Sequence, residues 1–213
     1  MRAEKLKELN EMMKDFETLY ISDEKEISSG FLSLSKATYT LRNGVTIERE
    51  QLHKMNSGNG NAANILPITK EGNVLLVVQP RVHLDRGVEV EVPAGLIDPG
   101  EDPKVAAIRE LKEETGYTSD EVYFLKQTNQ DEGCSKAKTY SYIALNCYKV
   151  CEPELDFDEN IKIFECTFDE VKELIDMEYI MGAGNIVNIL YSEKYLKENN
   201  IDLSRKYDNE YDN

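Results

Sequence analysis

The segment from Pro93 to Tyr117 constrains the fold of this chain most strongly, because it specifies one helix with two chemically different faces. Asp102 can cap the helix N-terminus, Pro103 suits the first helical position, and Gly116 suits the C-terminal stop. At about 3.6 residues per turn, one side of the predicted helix is apolar and carries Val105, Ile108 and Leu111. The opposite side carries three carboxylates, those of Glu110, Glu113 and Glu114. We expect the apolar face to pack against the core.

The acidic face has two interpretations. Most charge runs are solvated helix faces without a further role. However, Glu110 and Glu114 form a like-charge pair one turn apart, which destabilises an isolated helix by about 0.2–0.5 kcal/mol. Three carboxylates, with Glu101 in the preceding loop, are the oxygen ligands that a hard cation such as Mg²⁺ prefers. From the residues alone, a divalent-metal site and a solvated face are equally favoured.

The composition limits the classes of protein that the chain can belong to. Its 213 residues, of which 40% are apolar and 31% charged, suit one globular domain with a small appendage. The net charge of -16 repels phosphate backbones, so we expect no nucleic-acid partner. The four cysteines lack metal-site spacing, and neither a signal segment nor an apolar stretch of membrane-spanning length is present. We expect a cytoplasmic protein that does not bind membranes.

The N-terminal third differs in pattern from the remainder. Residues 4–20 have the apolar spacing of a helix, and Asn43-Gly44 is typical of a two-residue turn between two strands. A run rich in glycine and asparagine at 57–61 marks a break. We therefore predict three regions: an N-terminal appendage at 1–57, a main domain at 58–203 and a disordered tail at 204–213.

The main domain mixes strands and helices without regular alternation. The predicted strands are 64–68, 74–79, 88–93, 122–127, 139–150 and 161–168. The predicted helices are 103–115, 169–177 and 185–198. This order favours an α+β fold, in which helices pack on a mixed sheet, over a doubly wound parallel fold.

The spacing of Gly95, Glu101 and the run from Arg109 to Tyr117 resembles the signature of the Nudix hydrolases at every fixed position. This resemblance implies an α/β/α sandwich with a mixed β-sheet. It also implies hydrolysis of a nucleoside diphosphate joined to a variable group. The cofactor would be Mg²⁺, with Mn²⁺ as a possible substitute, at two or more ions per active site.

The resemblance assigns a role to each residue of the signature. It makes three carboxylates the metal ligands: Glu110, Glu113 and Glu114. Glu113 would also take part in catalysis, and Arg109 would orient its neighbouring carboxylates by ion pairing. Gly95 and Gly116 would permit the backbone turns at either end, and Glu101 would have a structural role.

Two segments before the signature resemble the ADP-ribose pyrophosphatases within that family. They are Glu91-Val92-Pro93-Ala94-Gly95 and Gln79-Pro80-Arg81. By this likeness the carbonyl of Ala94 would bind metal, Arg81 would contact a phosphate, and Glu91 would lie near substrate or metal. Without the likeness, Arg81 would be interpreted as a surface arginine. The N-terminal appendage is also similar to that of this subfamily and implies a homodimer.

The loop after the signature departs from the subfamily, which usually carries a proline there. Glu132 stands in its place, in the run from Gln130 to Lys138. Glu132 and Asp131 are candidates for the general base, although an exposed carboxylate without a role is the alternative. Glu159 is a further candidate, because it precedes a predicted strand.

The expected reaction is hydrolysis of ADP-ribose to AMP and ribose 5-phosphate. Other nucleotide sugars, dinucleotides, dinucleoside polyphosphates and nucleoside triphosphates are the alternative substrates. A different class is a nucleotide-sensing module that keeps the fold without the activity. That interpretation predicts loss of the carboxylate set, which is complete here.

Overall fold

The computed structural model describes residues 3–14, 31–40, 46–54, 60–155, 157 and 159–203. These residues form four helices and ten strands. In chain order the elements are α1 (Ala3–Lys14), β1 (Leu32–Thr40), β2 (Thr46–Lys54), β3 (Ala62–Thr69), β4 (Val74–Pro80), β5 (Val88–Glu91), β6 (Ala94–Leu96), α2 (Pro103–Thr115), β7 (Tyr117–Thr118), β8 (Glu121–Asn129), β9 (Lys138–Lys149), β10 (Lys162–Cys166), α3 (Phe168–Asp176) and α4 (Ala183–Glu198).

Strand β3 lies at the centre of the main sheet. It pairs in parallel with β9 and antiparallel with β4 and β6. Beyond β4 the sheet continues to β10 and β5, and beyond β9 to β8 and β7. The pairing is therefore mixed, which confirms the predicted α+β class.

The two faces of the sheet support separate apolar clusters. In β3, Ala63 and Ile65 pack with α2, whereas Leu66 and Ile68 belong to the cluster that includes α1, α3 and α4. Because side chains alternate across a strand, β3 contributes to both clusters and is buried along nearly its whole length. Helices thus cover both faces, and the predicted α/β/α sandwich is confirmed.

Helix α2 has the bounds and caps that the sequence predicts. The Asp102 side chain accepts hydrogen bonds from the backbone N–H groups of Lys104 and Val105. Gly116 has a φ of 75° and donates its N–H to Lys112 O. A Cβ on Gly116 would also lie 2.2 Å from the carbonyl oxygen of Cys151, so the position requires glycine.

The predicted apolar face of α2 is partly wrong. Val105 is 56% exposed, and the buried side chains are Ala106, Ala107, Glu110, Leu111, Glu114 and Thr115. The two alanines are small enough to bring the helix close to the sheet. Glu114 lies two turns after Ala107 on the same face, so a carboxylate occupies the middle of the buried surface.

The N-terminal elements are described in part. Helix α1 buries Leu9 and Met13 in the core of the main domain, and residues 15–20 of the predicted helix lie outside the described residues. Strands β1 and β2 pair antiparallel, which confirms the predicted strand pairing. The turn at Asn43-Gly44, the domain boundary at residue 57 and the tail at 204–213 also lie outside the described residues.

The predicted strand at 88–93 is divided in the structure. It forms β5, and a separate short strand, β6, follows Pro93 and pairs with β3. Proline cannot donate a ladder hydrogen bond, but its carbonyl accepts one from Ile65 N at 3.0 Å. In the described parts of the chain, no helix has the length and apolar character needed to cross a membrane.

Candidate active site

Strand β6 and helix α2 approach so closely that two carboxylates lie against backbone. A Cβ added to Gly95 would lie 2.0 Å from Oε1 of Glu110, so only glycine leaves room for this carboxylate. Ala94 N donates a hydrogen bond to Oε2 of Glu114 at 3.0 Å. Glu110 is 8% exposed and Glu114 is 2% exposed.

The Arg109 guanidinium links four groups around these carboxylates. Nη1 donates to Oε1 of Glu110 at 2.8 Å and to Oε2 of Glu113 at 2.9 Å. Nε and Nη2 each donate to Glu101 at 3.0 Å, and Nη2 also donates to the Leu96 carbonyl. The hydrogen bonds from Arg109 lower the pKa of Glu101. These contacts are those expected of an arginine that orients carboxylates.

The environments of Glu110 and Glu114 disfavour their ionised forms. Burial raises the pKa of Glu110 to about 7, although Arg109 opposes the shift, and the charges of Glu113 and Glu159 add to it. Burial, followed by the charge of Glu110, raises the pKa of Glu114 well above its ordinary value. An additional cation near these side chains would therefore favour their ionised forms.

The donor set fits a hard divalent cation in its chemistry. It consists of carboxylate oxygens that are close together, oriented and raised in pKa. Among the residues that the structure describes, no three acidic, histidine or cysteine side chains converge to hold a metal as they stand. At α2, Nη1 of Arg109 forms ion pairs with both Glu110 and Glu113.

A second arginine–carboxylate pair lies on β5 and the loop that precedes it. Arg81 donates from Nε to Oε1 of Glu91 at 2.5 Å and from Nη2 to Oε2 at 2.8 Å. The Glu91 hydrogen bond is the largest cause that raises the pKa of Arg81. The Glu91 side chain is 9% exposed and that of Arg81 is 43% exposed, so Arg81 pairs with a nearly buried carboxylate while remaining partly accessible to solvent.

The carboxylates of Glu110 and Glu113 open into a cavity of about 330 Å³. Its lining residues are Gly95, Leu96, Asp98, Arg109, Glu110, Glu113, Glu154 and Glu159. Glu159, one of the predicted candidates for the general base, lines this cavity together with Glu113, which was predicted to bind metal and take part in catalysis. Asp131 and Glu132 lie on an exposed turn, in a loop whose Cys134 carbonyl accepts a hydrogen bond from Leu52 N of β2.

The family model for the NUDIX domain matches residues 58–182, which is more than half of the chain. The chain belongs to the Nudix family. The ADP-ribose pyrophosphatase of Bacillus subtilis is 30% identical over 187 residues, covering 87% of this chain and 97% of that protein. The methanol dehydrogenase activator of Bacillus methanolicus is 32% identical over 181 residues, covering 84% of this chain and 95% of the relative.

A solved structure supports the same assignment. The crystal structure of an ADP compounds hydrolase matches with a TM-score of 0.70 and 25% identity, covering 83% of this chain and 92% of that one. The confirmed resemblance makes the chain a Nudix hydrolase that acts on nucleoside diphosphates linked to another group. Family members use divalent cations, as the sequence predicts for this chain.

Two further glutamates of this Nudix hydrolase lie outside the signature, and no motif in the sequence predicts a role for either. Glu154, whose backbone N–H donates to Glu113 O at 2.8 Å, brings the segment after β9 to the cavity. Glu89, 6% exposed, accepts hydrogen bonds from the backbone N–H groups of Met181 and Gly182 where α4 begins. One sequence feature indicates that a distant residue caps α4: the N-cap residue is Gly182, which has no side chain to accept hydrogen bonds from the backbone.

Proposed function

We propose that this Nudix hydrolase cleaves ADP-ribose to AMP and ribose 5-phosphate in a reaction that requires Mg²⁺ or Mn²⁺. The observation that carries the proposal is a group of three glutamates on α2. Glu110 and Glu113 line one cavity, and the buried Glu114 accepts a hydrogen bond from Ala94 N. Burial is the largest cause of the raised pKa of both Glu110 and Glu114, and neighbouring carboxylates add to it, so a nearby cation would favour their ionised forms. Divalent cations supply such positive charge in enzymes that bind diphosphates.

The proposed mechanism assigns each group a separate task. Glu110, Glu113 and Glu114, with the carbonyl of Ala94, would hold two or more divalent ions. When bound, such ions neutralise phosphate oxygens and lower the pKa of a bound water. Arg109 keeps its neighbouring carboxylates in place through the hydrogen bonds described above. Arg81 would hold one phosphate through its planar guanidinium.

The general base is proposed to be Glu159 in preference to Glu132. Glu159 lines the same cavity as Glu113, and its charge reaches Glu110 and Glu114. Glu159→Gln and Glu132→Gln form a matched pair, because each removes one carboxylate. The first should lower kcat by about 10²-fold or more, and the second by less than about tenfold. The reverse order of effects would return the role to Glu132.

The choice of ADP-ribose rests on the relatives. Two of the matching proteins are an ADP-ribose pyrophosphatase and an ADP compounds hydrolase, and both are matched over most of their length. The test is product release from ADP-ribose, UDP-glucose, GDP-mannose, NADH, a dinucleoside polyphosphate and a nucleoside triphosphate, with Mg²⁺ and with chelator. Chelator-sensitive cleavage led by ADP-ribose would support the proposal. Faster cleavage of another compound would keep the hydrolase activity but assign a different substrate. No cleavage of any compound would favour a nucleotide-sensing role.

A second candidate function comes from the methanol dehydrogenase activator of Bacillus methanolicus, which is 32% identical to this chain. The name of that protein indicates an action on a dehydrogenase. Adding this chain to a methanol dehydrogenase assay tests the possibility. A faster rate that is lost in Glu114→Gln would link activation to the same carboxylates, and an unchanged rate would remove this candidate.

We further propose that the protein is a cytoplasmic homodimer. The N-terminal region carries Phe31, Leu32 and Leu34 with exposed fractions of 52%, 47% and 72%, which suits a surface covered by a second copy. Light scattering should give twice the 24.4 kDa chain mass. A single-chain mass at micromolar protein would contradict the dimer.

A further inference from the structure

A second cavity, of about 420 Å³ and termed the outer cavity, lies on the solvent side of α2. Its lining residues are Val105, Ile108, Arg109, Lys112, Glu113 and Glu154. Three of them, Arg109, Glu113 and Glu154, also line the cavity at Glu110 described above, termed the acidic cavity. The two cavities therefore adjoin, and a substrate bound at the α2 carboxylates can extend into the outer cavity.

The two cavities differ in charge. Among the residues that the structure describes, the acidic cavity is lined by one arginine and five carboxylates. In the same part of the chain, the outer cavity has two cationic side chains, two carboxylates and two aliphatic side chains. The acidic cavity thus suits a diphosphate together with its cations, whereas the outer cavity suits an uncharged group with an apolar surface.

All five N–H groups of the Arg109 guanidinium are engaged within the protein. Nε donates one hydrogen bond, and Nη1 and Nη2 donate two each, to Glu101, Glu110, Glu113 and the Leu96 carbonyl. The side chain is nevertheless 30% exposed. The surface that it offers to a ligand consists of the flat face of the guanidinium and the methylene stem. Such a face stacks on an aromatic ring, whereas hydroxyl groups of a sugar would require a donor that is already in use.

Two aliphatic side chains stand on the same side of α2 as that face. Val105 precedes Arg109 by four residues, and Ile108 precedes Lys112 by four, so these side chains are neighbours on the helix surface. Val105 is 56% exposed, and Ile108 is partly buried against the cluster between α2 and the sheet. A ring that covers Val105 would remove its apolar surface from water, which favours binding.

We propose that the outer cavity binds the nucleobase of the substrate, with the ring against Val105, Ile108 and the face of Arg109. The inference rests on the proposed function and places one part of that substrate. In a nucleotide sugar the phosphates are charged and the sugars carry hydroxyl groups, so the base is the part with an apolar planar surface. Arg109 would then orient the carboxylates through its N–H groups and hold the base through its face.

The first experiment compares the two products of the proposed reaction as ligands, by calorimetry in Mg²⁺. AMP and ribose 5-phosphate share a phosphorylated ribose, but only AMP carries a base, so wild type should bind AMP at least about tenfold more tightly. Val105→Asn removes apolar surface without adding a charge, and valine and asparagine have similar helix propensities. It should weaken AMP binding about fivefold and change ribose 5-phosphate binding by less than about twofold.

Val82→Asn is the matched control, because it is the same substitution at a valine of similar exposure, 51%, in the loop that follows Arg81. Its AMP affinity should stay within about twofold of wild type. Val105→Ile keeps the apolar wall and should bind AMP as wild type does. A larger loss in Val82→Asn than in Val105→Asn would place the base beside Arg81 and overturn the proposal.

The second experiment separates KM from kcat with the compound that is cleaved fastest in the substrate panel. Val105→Asn should raise KM about fivefold and leave kcat within about twofold of wild type, because the base is held equally in the ground and transition states. Val105→Ile should match wild type in both constants. A lower kcat with unchanged KM would mean that the substitution disturbs the α2 carboxylates, which would overturn the base site.

Failure of the base site is distinguishable from failure of the proposed function. AMP binding requires no turnover, so Val105→Asn can be judged even if no compound of the panel is cleaved. Equal AMP affinity in wild type and Val105→Asn would overturn the base site. Wild-type AMP binding no tighter than that of ribose 5-phosphate, or a loss confined to ribose 5-phosphate in Val105→Asn, would also overturn it.

Discussion

Two buried glutamates, Glu89 and Glu114, show how differently one residue type can be used in this fold. Both are almost fully buried, at 6% and 2% exposed. Glu89 accepts two backbone hydrogen bonds at the start of α4. Glu114 accepts one, from Ala94 N, and otherwise faces the charge of Glu110 and other carboxylates.

Because both glutamates are buried, the hydrogen-bond partners and neighbouring charges of each carboxylate, and not its burial, separate a structural role from a chemical one. The positive end of the α4 dipole favours Glu89, whose two donors are the N–H of Gly182, the N-cap of α4, and the N–H of Met181 just before it. Burial, followed by the charge of Glu110, raises the pKa of Glu114, and its single hydrogen bond from Ala94 N opposes that shift. The first glutamate supports the fold, and the second is suited to bind a cation.

The largest expected effect is that of Glu114→Gln on turnover. Glutamine can still accept the hydrogen bond from Ala94 N, but it removes a charged ligand for the cation. We expect kcat to fall by about 10²-fold or more. The melting temperature should be equal to or higher than that of wild type, because a desolvated charge is lost. Near-normal turnover would mean that Glu114, like Glu89, has a structural role and does not bind the cation.

Gly95→Ala tests the position of the α2 carboxylates without changing a charge. A Cβ there would lie 2.0 Å from Glu110 Oε1, so the Glu110 carboxylate must move. We expect kcat/KM for the best substrate to fall by about tenfold or more. Gly133→Ala is the control, since a Cβ at Gly133 would lie 3.2 Å from a side-chain oxygen of the exposed Asp131. Equal activity of the two variants would contradict the need for a close approach at Gly95.

Substitutions of Glu89 should act on stability. Glu89→Ala leaves the backbone N–H groups of Met181 and Gly182 without their acceptor, and the free energy of unfolding should fall by about 1–3 kcal/mol. Glu89→Gln keeps an acceptor oxygen, so the loss should stay within about 1 kcal/mol. Urea unfolding followed by circular dichroism measures both. Equal losses in the two variants would mean that the cap depends on charge and not on an acceptor.

The smallest expected effect is a pH dependence of stability in chelator. Glu110 has a pKa of about 7 in the folded protein, against 4.5 for an ordinary glutamate. Between these values the folded state binds a proton that the unfolded chain has lost, so stability should fall as pH rises from 4.5 to 7. Melting temperatures should show this decline, and Glu110→Gln or added Mg²⁺ should reduce it. A decline of the same size in Glu110→Gln would assign it to other groups.

The sequence predicted the parts of the site that are determined locally. The caps of α2 come from Asp102 and Gly116, and the spacing from Gly95 to Tyr117 is read directly along the chain. The predicted mixed sheet also follows from the order of strands and helices. These features are fixed within a few residues, where turn chemistry and helical periodicity are informative.

The parts that were missed depend on contacts between distant segments. The apolar side chain of Val105 predicts a core position, but Val105 is exposed, and the buried Ala106 and Ala107 face the sheet instead. Met181 and Gly182, which donate to Glu89 at the start of α4, follow it by 92 and 93 positions in the sequence. No local pattern links these segments, so the sequence does not predict the cap that Glu89 supplies. The burial of Glu114 likewise depends on how α2 packs against the sheet, which helical periodicity alone does not determine.

We propose that the α2 carboxylates bind a divalent cation, whereas the buried Glu89 has no need of one. The most direct test is Mg²⁺ titration by calorimetry of wild type, Glu114→Gln and Glu89→Gln, each checked for folding. We predict that wild type and Glu89→Gln bind Mg²⁺ alike and that Glu114→Gln binds it at least about tenfold more weakly. Equal Mg²⁺ binding by Glu114→Gln and wild type would contradict the account.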